Sequence, residues 1–389
     1  MKSKTFWNLW TSYACYYFGK VNLSLVIPIL LVTYQDMSLY NVGLVSSGFM
    51  IAYAVGQFLH GQISERFNPF IYISVGLIGS AVLNAFLGFS AGFFWVLLIG
   101  EIVDGGFQSM GWSSVVRANA ETSKNPERSS TILGTAYQAG NSIAWLICGF
   151  VIGQWGWQAG FWIASAVMLI RGVTLYLSRE DVMMSPHKVT ERIKLTLTFP
   201  IVVSGVSLCL LNMVRFGVIT WIPTYLFLNH DMPIEKVGLN VFLIPLAGIA
   251  GTLLYNKIRL HKDLTSMIYL FFLGIAFLIF PGTSGLLMVG ILVASGFLLY
   301  GPHVFLVTTM PSRFHNQRIV AASTGFIDGM GYVGSALIGI IVPFIIDKTS
   351  GWNTVFYFWS GLSFAIIALI VMVYVKSQVE DSTSVKEIV

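Results

Sequence analysis

Five ionisable residues stand inside long apolar runs of this chain: Lys20, Glu101, Asp104, Arg215 and Asp328. A charged side chain at hydrocarbon depth costs on the order of a few kcal/mol, so it is kept for a function or for a partner. Lys20 and Arg215 are the cations of the set. Two buried cations are the chemistry of an anion site, since guanidinium offers a bidentate fork to phosphate and ammonium offers a point charge. Glu101 and Asp104 lie one turn apart on one helical face. With Asp328 they are candidates to carry a coupling proton, to receive an amine on a substrate, or to neutralise a buried cation.

The neighbours of these charges are polar or aromatic at helical spacing. Tyr13, Tyr16, Tyr17 and Lys20 are spaced to share one face. Asn212 stands one turn before Arg215, Gln108 one turn after Asp104, and Thr324 and Tyr332 lie four residues either side of Asp328. His303, beside Gly301-Pro302, is the histidine expected to face a cavity. The expected binding set is therefore Lys20, Arg215, Tyr13, Tyr16, Tyr17, Asn212, Gln108, His303 and Tyr332. The expected coupling set is Asp104, Asp328 and Glu101. A packing role competes for each: carboxylates pair with buried cations, and tyrosines pack helices and anchor interfaces.

The elements that hold these residues follow from composition. Of 389 residues 56 % are hydrophobic and only 10 % charged, with a mean hydropathy of +0.76. A soluble domain carries about 25 % charged residues, so most of this surface faces something other than water. Apolar runs long enough to cross a bilayer are predicted near 7–33, 41–64, 69–91, 93–119, 128–154, 157–177, 198–228, 236–258, 265–281, 284–310, 316–346 and 352–376. Of the 22 lysines and arginines, all but Lys20, Arg215, Lys236 and Lys348 fall on one side if both termini are cytoplasmic. That asymmetry is the positive-inside signature. It also excludes nucleic acid as the reason for the net charge of +5, because the basic residues are scattered over many loops. Cys15, Cys148 and Cys209 sit in apolar runs without metal or disulfide spacing. No cleavable signal peptide is expected. No nucleophile–base pair or phosphate-cradling glycine loop is visible, so an enzyme is not expected.

Several stretches resemble a known family. After the second span, Gly61-Gln-Ile-Ser-Glu65-Arg66-Phe-Asn68-Pro69 resembles a loop signature in which an acidic residue and an arginine latch the cytoplasmic helix ends. Others are Tyr16-Tyr17-Phe-Gly-Lys20-Val-Asn22, Phe107-Gln108-Ser-Met-Gly111-Trp112, Val214-Arg215-Phe-Gly217, Trp221-Ile-Pro223-Thr-Tyr225-Leu, Leu299-Tyr300-Gly301-Pro302 and Gly325-Phe-Ile-Asp328-Gly-Met-Gly331-Tyr332. Together they resemble the major facilitator superfamily and, within it, the organophosphate:phosphate antiporters. The resemblance implies that Arg215 is the phosphate-binding arginine of helix 7. It puts Lys20 where relatives carry a second arginine, with Tyr13 and Tyr17 as aromatic neighbours. It makes Gly61, Glu65 and Arg66 a gating motif. A pocket histidine on helix 5 falls on Gly140, and the acidic Asp104 and Asp328 depart from the family pattern.

The predicted fold is an all-α membrane protein, with twelve transmembrane helices in two pseudo-symmetric six-helix bundles. Residues 1–177 form the first, 178–197 a cytoplasmic linker, and 198–389 the second with a short cytoplasmic tail. The predicted function is secondary transport of a small organic anion, a phosphate or phosphonate ester with zwitterionic esters included. Rocker-switch alternating access would carry it, with Lys20 and Arg215 holding the anionic group. The alternative is a proton-coupled symporter of a carboxylate such as a sugar acid, with Asp104 or Asp328 as proton carrier. Expected partners are the anion, inorganic phosphate or a proton as co-substrate, and the bilayer. No cofactor, metal or nucleic acid is expected. A monomer in the plasma (inner) membrane, with both termini cytoplasmic, completes the expectation.

Overall fold

Backbone inside hydrocarbon has to satisfy each N–H and C=O within its own segment, so the apolar runs form helices. The structure is a computed structural model that describes residues 3–123, 129, 132–179, 197–312, 320–349 and 351–386. The first half holds α1 (Ser3–Thr33), α2 (Leu39–Ile63), α3 (Pro69–Ser90), α4 (Phe94–Gln108), α5 (Met110–Thr122), α6 (Ala136–Trp155) and α7 (Trp157–Leu177). The second half holds α8 (Phe199–Asn229), α9 (Ile234–Val241), α10 (Leu243–Lys257), α11 (Lys262–Ile279), α12 (Gly285–Val304), α13 (Val320–Thr349) and α14 (Asn353–Lys386). The expected linker 178–197 lies almost wholly outside the described residues.

Ten helical stretches among the described residues are long and apolar enough to cross a membrane. The two remaining predicted spans, 93–119 and 128–154, differ for physical reasons. The first is divided: α4 ends at Gln108, Ser109 interrupts it, and α5 resumes at Met110. The Ser109 hydroxyl donates to the Gly106 carbonyl at 2.6 Å, and its N–H still reaches the Gly105 carbonyl at 3.1 Å. In the second, α6 begins at Ala136 and buries Gln138, Asn141 and Ser142, which dilute its apolar run.

Start signals are local. Ser38 accepts from the Asn41 N–H at 3.1 Å to cap α2, and Asn68 caps α3 through Phe70 N–H at 2.9 Å with Pro69 in the first turn. Gly156 has φ of 86°, which lets α6 turn directly into α7.

The helices pack into two compact units. The first comprises Met1–Lys188, Gly217–Leu246 and Gly339–Phe344; the second comprises Val189–Phe216, Ala247–Ile338 and Ile345–Val389. Within the first unit the ends of α9 and α13 meet first-half helices through glycines. A Cβ on Gly149 of α6 would lie 2.8 Å from the α-carbon of Gly238 on α9, and Gly43 of α2 abuts the Gly339 carbonyl of α13. Ser142 of α6 also donates to the Phe242 carbonyl at 2.9 Å. In the second unit Gly334 of α13 presses on the Cys209 carbonyl of α8. Small residues are what allow such backbone approach in a bilayer.

Candidate functional site

In the first unit, α1 carries two polar faces. Successive residues turn by about 100°, so Tyr13, Tyr17 and Lys20 cluster, whereas Asn22 stands roughly 200° from Lys20. On the first face the Lys20 ammonium lies 3.6 Å from the centroid of Tyr53 and 5.4 Å from that of Tyr17. Tyr13 packs on Tyr17 at 5.6 Å and on Trp112 at 4.8 Å, and Tyr17 lies 6.0 Å from Tyr137. Lys20 is thus a half-buried cation on aromatic faces, a favourable arrangement where water is scarce. Tyr53, Trp112 and Tyr137 come from α2, α5 and α6, and no spacing in the sequence links them to Lys20.

Tyr16 leaves this group. It stands about 100° from Tyr17 around the helix, donates its hydroxyl to the Ile73 carbonyl of α3 at 2.8 Å, and fills the space left by Gly76 and Gly111. Gly140 is also a packing position: a side chain there would meet the Ala14 backbone. The α6 residue that reaches the Lys20 aromatic group is Tyr137.

The second face of α1 leads to the carboxylates of α4. Asn22 donates to Asn84 at 2.9 Å, and Asn84 donates to Asp104 Oδ2 at 3.1 Å. Ser80 donates to Asp104 Oδ1, and Gln108 donates to Ser80 at 2.8 Å. Asp104 is fully buried yet served on both oxygens by neutral donors. This arrangement keeps a buried polar group satisfied and ties α1, α3 and α4 together. Glu101, only 2 % exposed, differs: its Oε1 has no hydrogen-bond partner among the described residues. The sequence marks Asp104 and Gln108, and Asn22 only inside a family-like stretch, while the neutral partners Ser80 and Asn84 give no signal of their own.

In the second unit Arg215, 7 % exposed, is held by directional bonds. Its Nη1 lies 3.1 Å from His303 Nε2 on α12. Its guanidinium also engages the Tyr300 hydroxyl and sits 5.5 Å from the Tyr300 ring and 5.0 Å from that of Phe216. Asp328 on α13 lies within Coulombic range of Arg215. Asn212 is buried one turn before Arg215, with Gly331 of α13 against its amide nitrogen, and its Oδ1 has no partner among the described residues. Tyr332 and Thr324 flank Asp328 half-buried on α13. Arg215 and His303 are thus in contact, with Tyr300 beside them and Asp328 within Coulombic range of the arginine.

At the end of α2 the bonds that the structure describes come from an arginine of α5. Arg66 is exposed in a 3-10 turn at Ser64–Arg66, and the Glu65 side chain lies outside the described residues. Gly61 has open space where a side chain would stand. Arg117 of α5 donates to the Ser64 carbonyl and, at 3.1 Å, to the Phe67 carbonyl, while pairing with Glu121 at 2.8 Å. It caps the carbonyls left over where α2 ends. Arg171 of α7 braces α1 from the side, donating to the Ser12 hydroxyl at 2.9 Å and to the Asn8 carbonyl at 2.8 Å.

Comparison with known proteins bears on both units. The pattern described as the Major Facilitator Superfamily matches residues 9–339. The chain is 26 % identical to the glycerol-3-phosphate transporter of Bacillus subtilis (strain 168), over 91 % of this chain and 88 % of that protein. It is 24 % identical to the membrane sensor protein UhpC of Escherichia coli (strain K12), over 95 % of this chain and 91 % of the sensor. Among solved structures, a mutant of the nucleoside transporter NupG superposes with a TM-score of 0.77 at 12 % identity, over 95 % of this chain and 99 % of that one.

Proposed function

Because this chain belongs to the major facilitator superfamily, we propose that it is a secondary transporter of a small phosphate ester, with Lys20 and Arg215 taking the anionic group. The observation that carries this reading is the matched pair of cations. Each sequence half holds one, and each is seated against aromatic rings: Lys20 on Tyr53 and Tyr17, Arg215 on Tyr300. The likeness to a glycerol-3-phosphate transporter supports the same substrate class. The buried Asn212 Oδ1 supports a hydroxylated ester, since an amide oxygen needs a donor and a hydroxyl supplies one.

Alternating access between residues 1–177 and 198–389 is the proposed mechanism, as in transporters built from repeats. With both termini cytoplasmic, Gly43, Gly149, Gly238 and Gly339 stand at outer helix ends. Their close approach supports an arrangement in which α2 meets α13 and α6 meets α9 on the outer side. Inorganic phosphate is the proposed counter-substrate.

The test is flux into proteoliposomes of purified protein. Glycerol 3-phosphate uptake is expected to require internal phosphate, to survive a protonophore, and to be lost in Arg215→Ala and Lys20→Ala. Uptake that collapses with the protonophore and with Asp328→Asn would favour symport instead. The similarity to a membrane sensor favours one second reading. Tight glycerol 3-phosphate binding without flux under any gradient would establish it.

A further inference from the structure

The contact between Arg215 and His303 fixes a protonation state. Arginine has only N–H donors, so Nη1 donates and the Nε2 of His303 accepts across 3.1 Å. His303 is therefore neutral here, with its proton on Nδ1. A protonated imidazole would point an N–H at an N–H and set two positive groups in contact.

Several groups among the described residues surround this contact. Arg215 comes from α8 and Tyr300 from the helix of His303 itself. Asp328 of α13 lies within Coulombic range of the arginine. Tyr255 of α10 and Tyr269 of α11 pack on neighbouring Gly301. A dianion arriving at Arg215 reverses the balance at this site. Its oxygens take the arginine N–H groups, so Nε2 loses its donor. A proton on Nε2 would then donate to the anion, and its charge would be balanced rather than repelled.

We propose that His303 is a proton-binding member of the anion site, so that anion binding at Arg215 and protonation of His303 Nε2 promote each other. The inference rests on the reading of Arg215 as an anion ligand and needs no carboxylate as proton carrier. The proton comes from water, adds to the Nε2 lone pair as the anion binds, and returns to water when the anion leaves. No bond to carbon or phosphorus changes. Linkage is reciprocal. The complex holds one more proton than its separate parts, so affinity rises as pH falls, by at most about tenfold per pH unit.

Calorimetric titration of the full-length protein with glycerol 3-phosphate, in buffers of different ionisation enthalpy, counts protons taken up on binding. The His303→Gln variant retains an acceptor for Arg215 but has no titratable ring. Wild type is expected to take up close to one proton more than the variant, and protonation of the ligand itself cancels in that difference. Equal uptake by the two proteins overturns the inference while leaving the anion site standing. If wild type binds neither glycerol 3-phosphate nor inorganic phosphate, the anion reading fails and this inference with it. Should the variant not bind, the nitrogen-15 spectrum of histidine-labelled wild type decides. The His303 resonances, assigned by their loss in the variant, are expected to move to imidazolium positions on adding glycerol 3-phosphate. Persistence of the neutral pattern overturns the proposal.

Discussion

Lys20 and Arg215 occupy corresponding helices of the two sequence halves, yet the structure holds them differently. Lys20 rests on ring faces, at 3.6 Å from Tyr53, an attraction that tolerates small shifts of the ammonium. Arg215 is fixed by a 3.1 Å contact to His303 and by the Tyr300 hydroxyl, both directional. The carboxylates differ as well. Asp104 is served by Ser80 and Asn84, whereas Asp328 faces the charge of Arg215. On the proposed reading, the difference gives the two cations different work. Lys20 would supply a point charge beside a polar network, and Arg215 an oriented fork whose partners exchange for a ligand.

The largest effect that would break this comparison is on stability. Asp104→Ala is expected to leave the Ser80 and Asn84 donors buried without an acceptor, costing roughly 3 kcal/mol. Thermal unfolding in detergent should show a clearly lowered midpoint, and Asp328→Ala should show much less. An equal loss in both would erase the distinction between frame and site. Next comes a swap of the cations. Arg215→Lys keeps the charge but removes the fork, and about a 30-fold weaker glycerol 3-phosphate affinity is expected, on the order of 2 kcal/mol for lost charge-assisted bonds. Lys20→Arg should stay within about threefold of wild type, since ring faces accept guanidinium. Adding bulk at Gly149 probes the outer contact. Gly149→Val sets a branched side chain against the Gly238 backbone. It should slow exchange about tenfold at unchanged affinity, a barrier change of about 1.4 kcal/mol. The smallest effect belongs to Tyr53→Leu, which removes one ring face. A loss of about threefold in affinity, near 0.7 kcal/mol, would match an ordinary cation–π contribution.

Much of this was legible in the sequence, and the boundary of legibility has a cause. Lys20, Arg215, Asp104 and Asp328 stand out because charge is rare in apolar runs. Tyr17 follows from its place one turn before Lys20. Tyr53 and Tyr137 were not legible, and Tyr300 appeared only inside a family-like stretch, because aromatic residues are common in membrane helices and tertiary packing alone brings them to a cation. Ser80 and Asn84 were hidden for a related reason: neutral polar residues give no signal until helices are side by side. Tyr16 shows the limit of periodicity. Residues three and four apart share a face only within an arc, and Tyr16 falls on the edge facing α3. Arg117 reads as a topology charge in sequence and proves to cap the end of α2. The interruption at Ser109 has no signal in composition.

The central proposal is that Lys20 and Arg215 both take the anionic group of the substrate. Glycerol 3-phosphate titrated into purified Lys20→Gln and Arg215→Gln, alongside wild type, tests it most directly. Both variants are expected to bind at least about tenfold more weakly, with Arg215→Gln the weaker, since each loses a charge-assisted partner. Wild-type affinity in either variant would contradict the account.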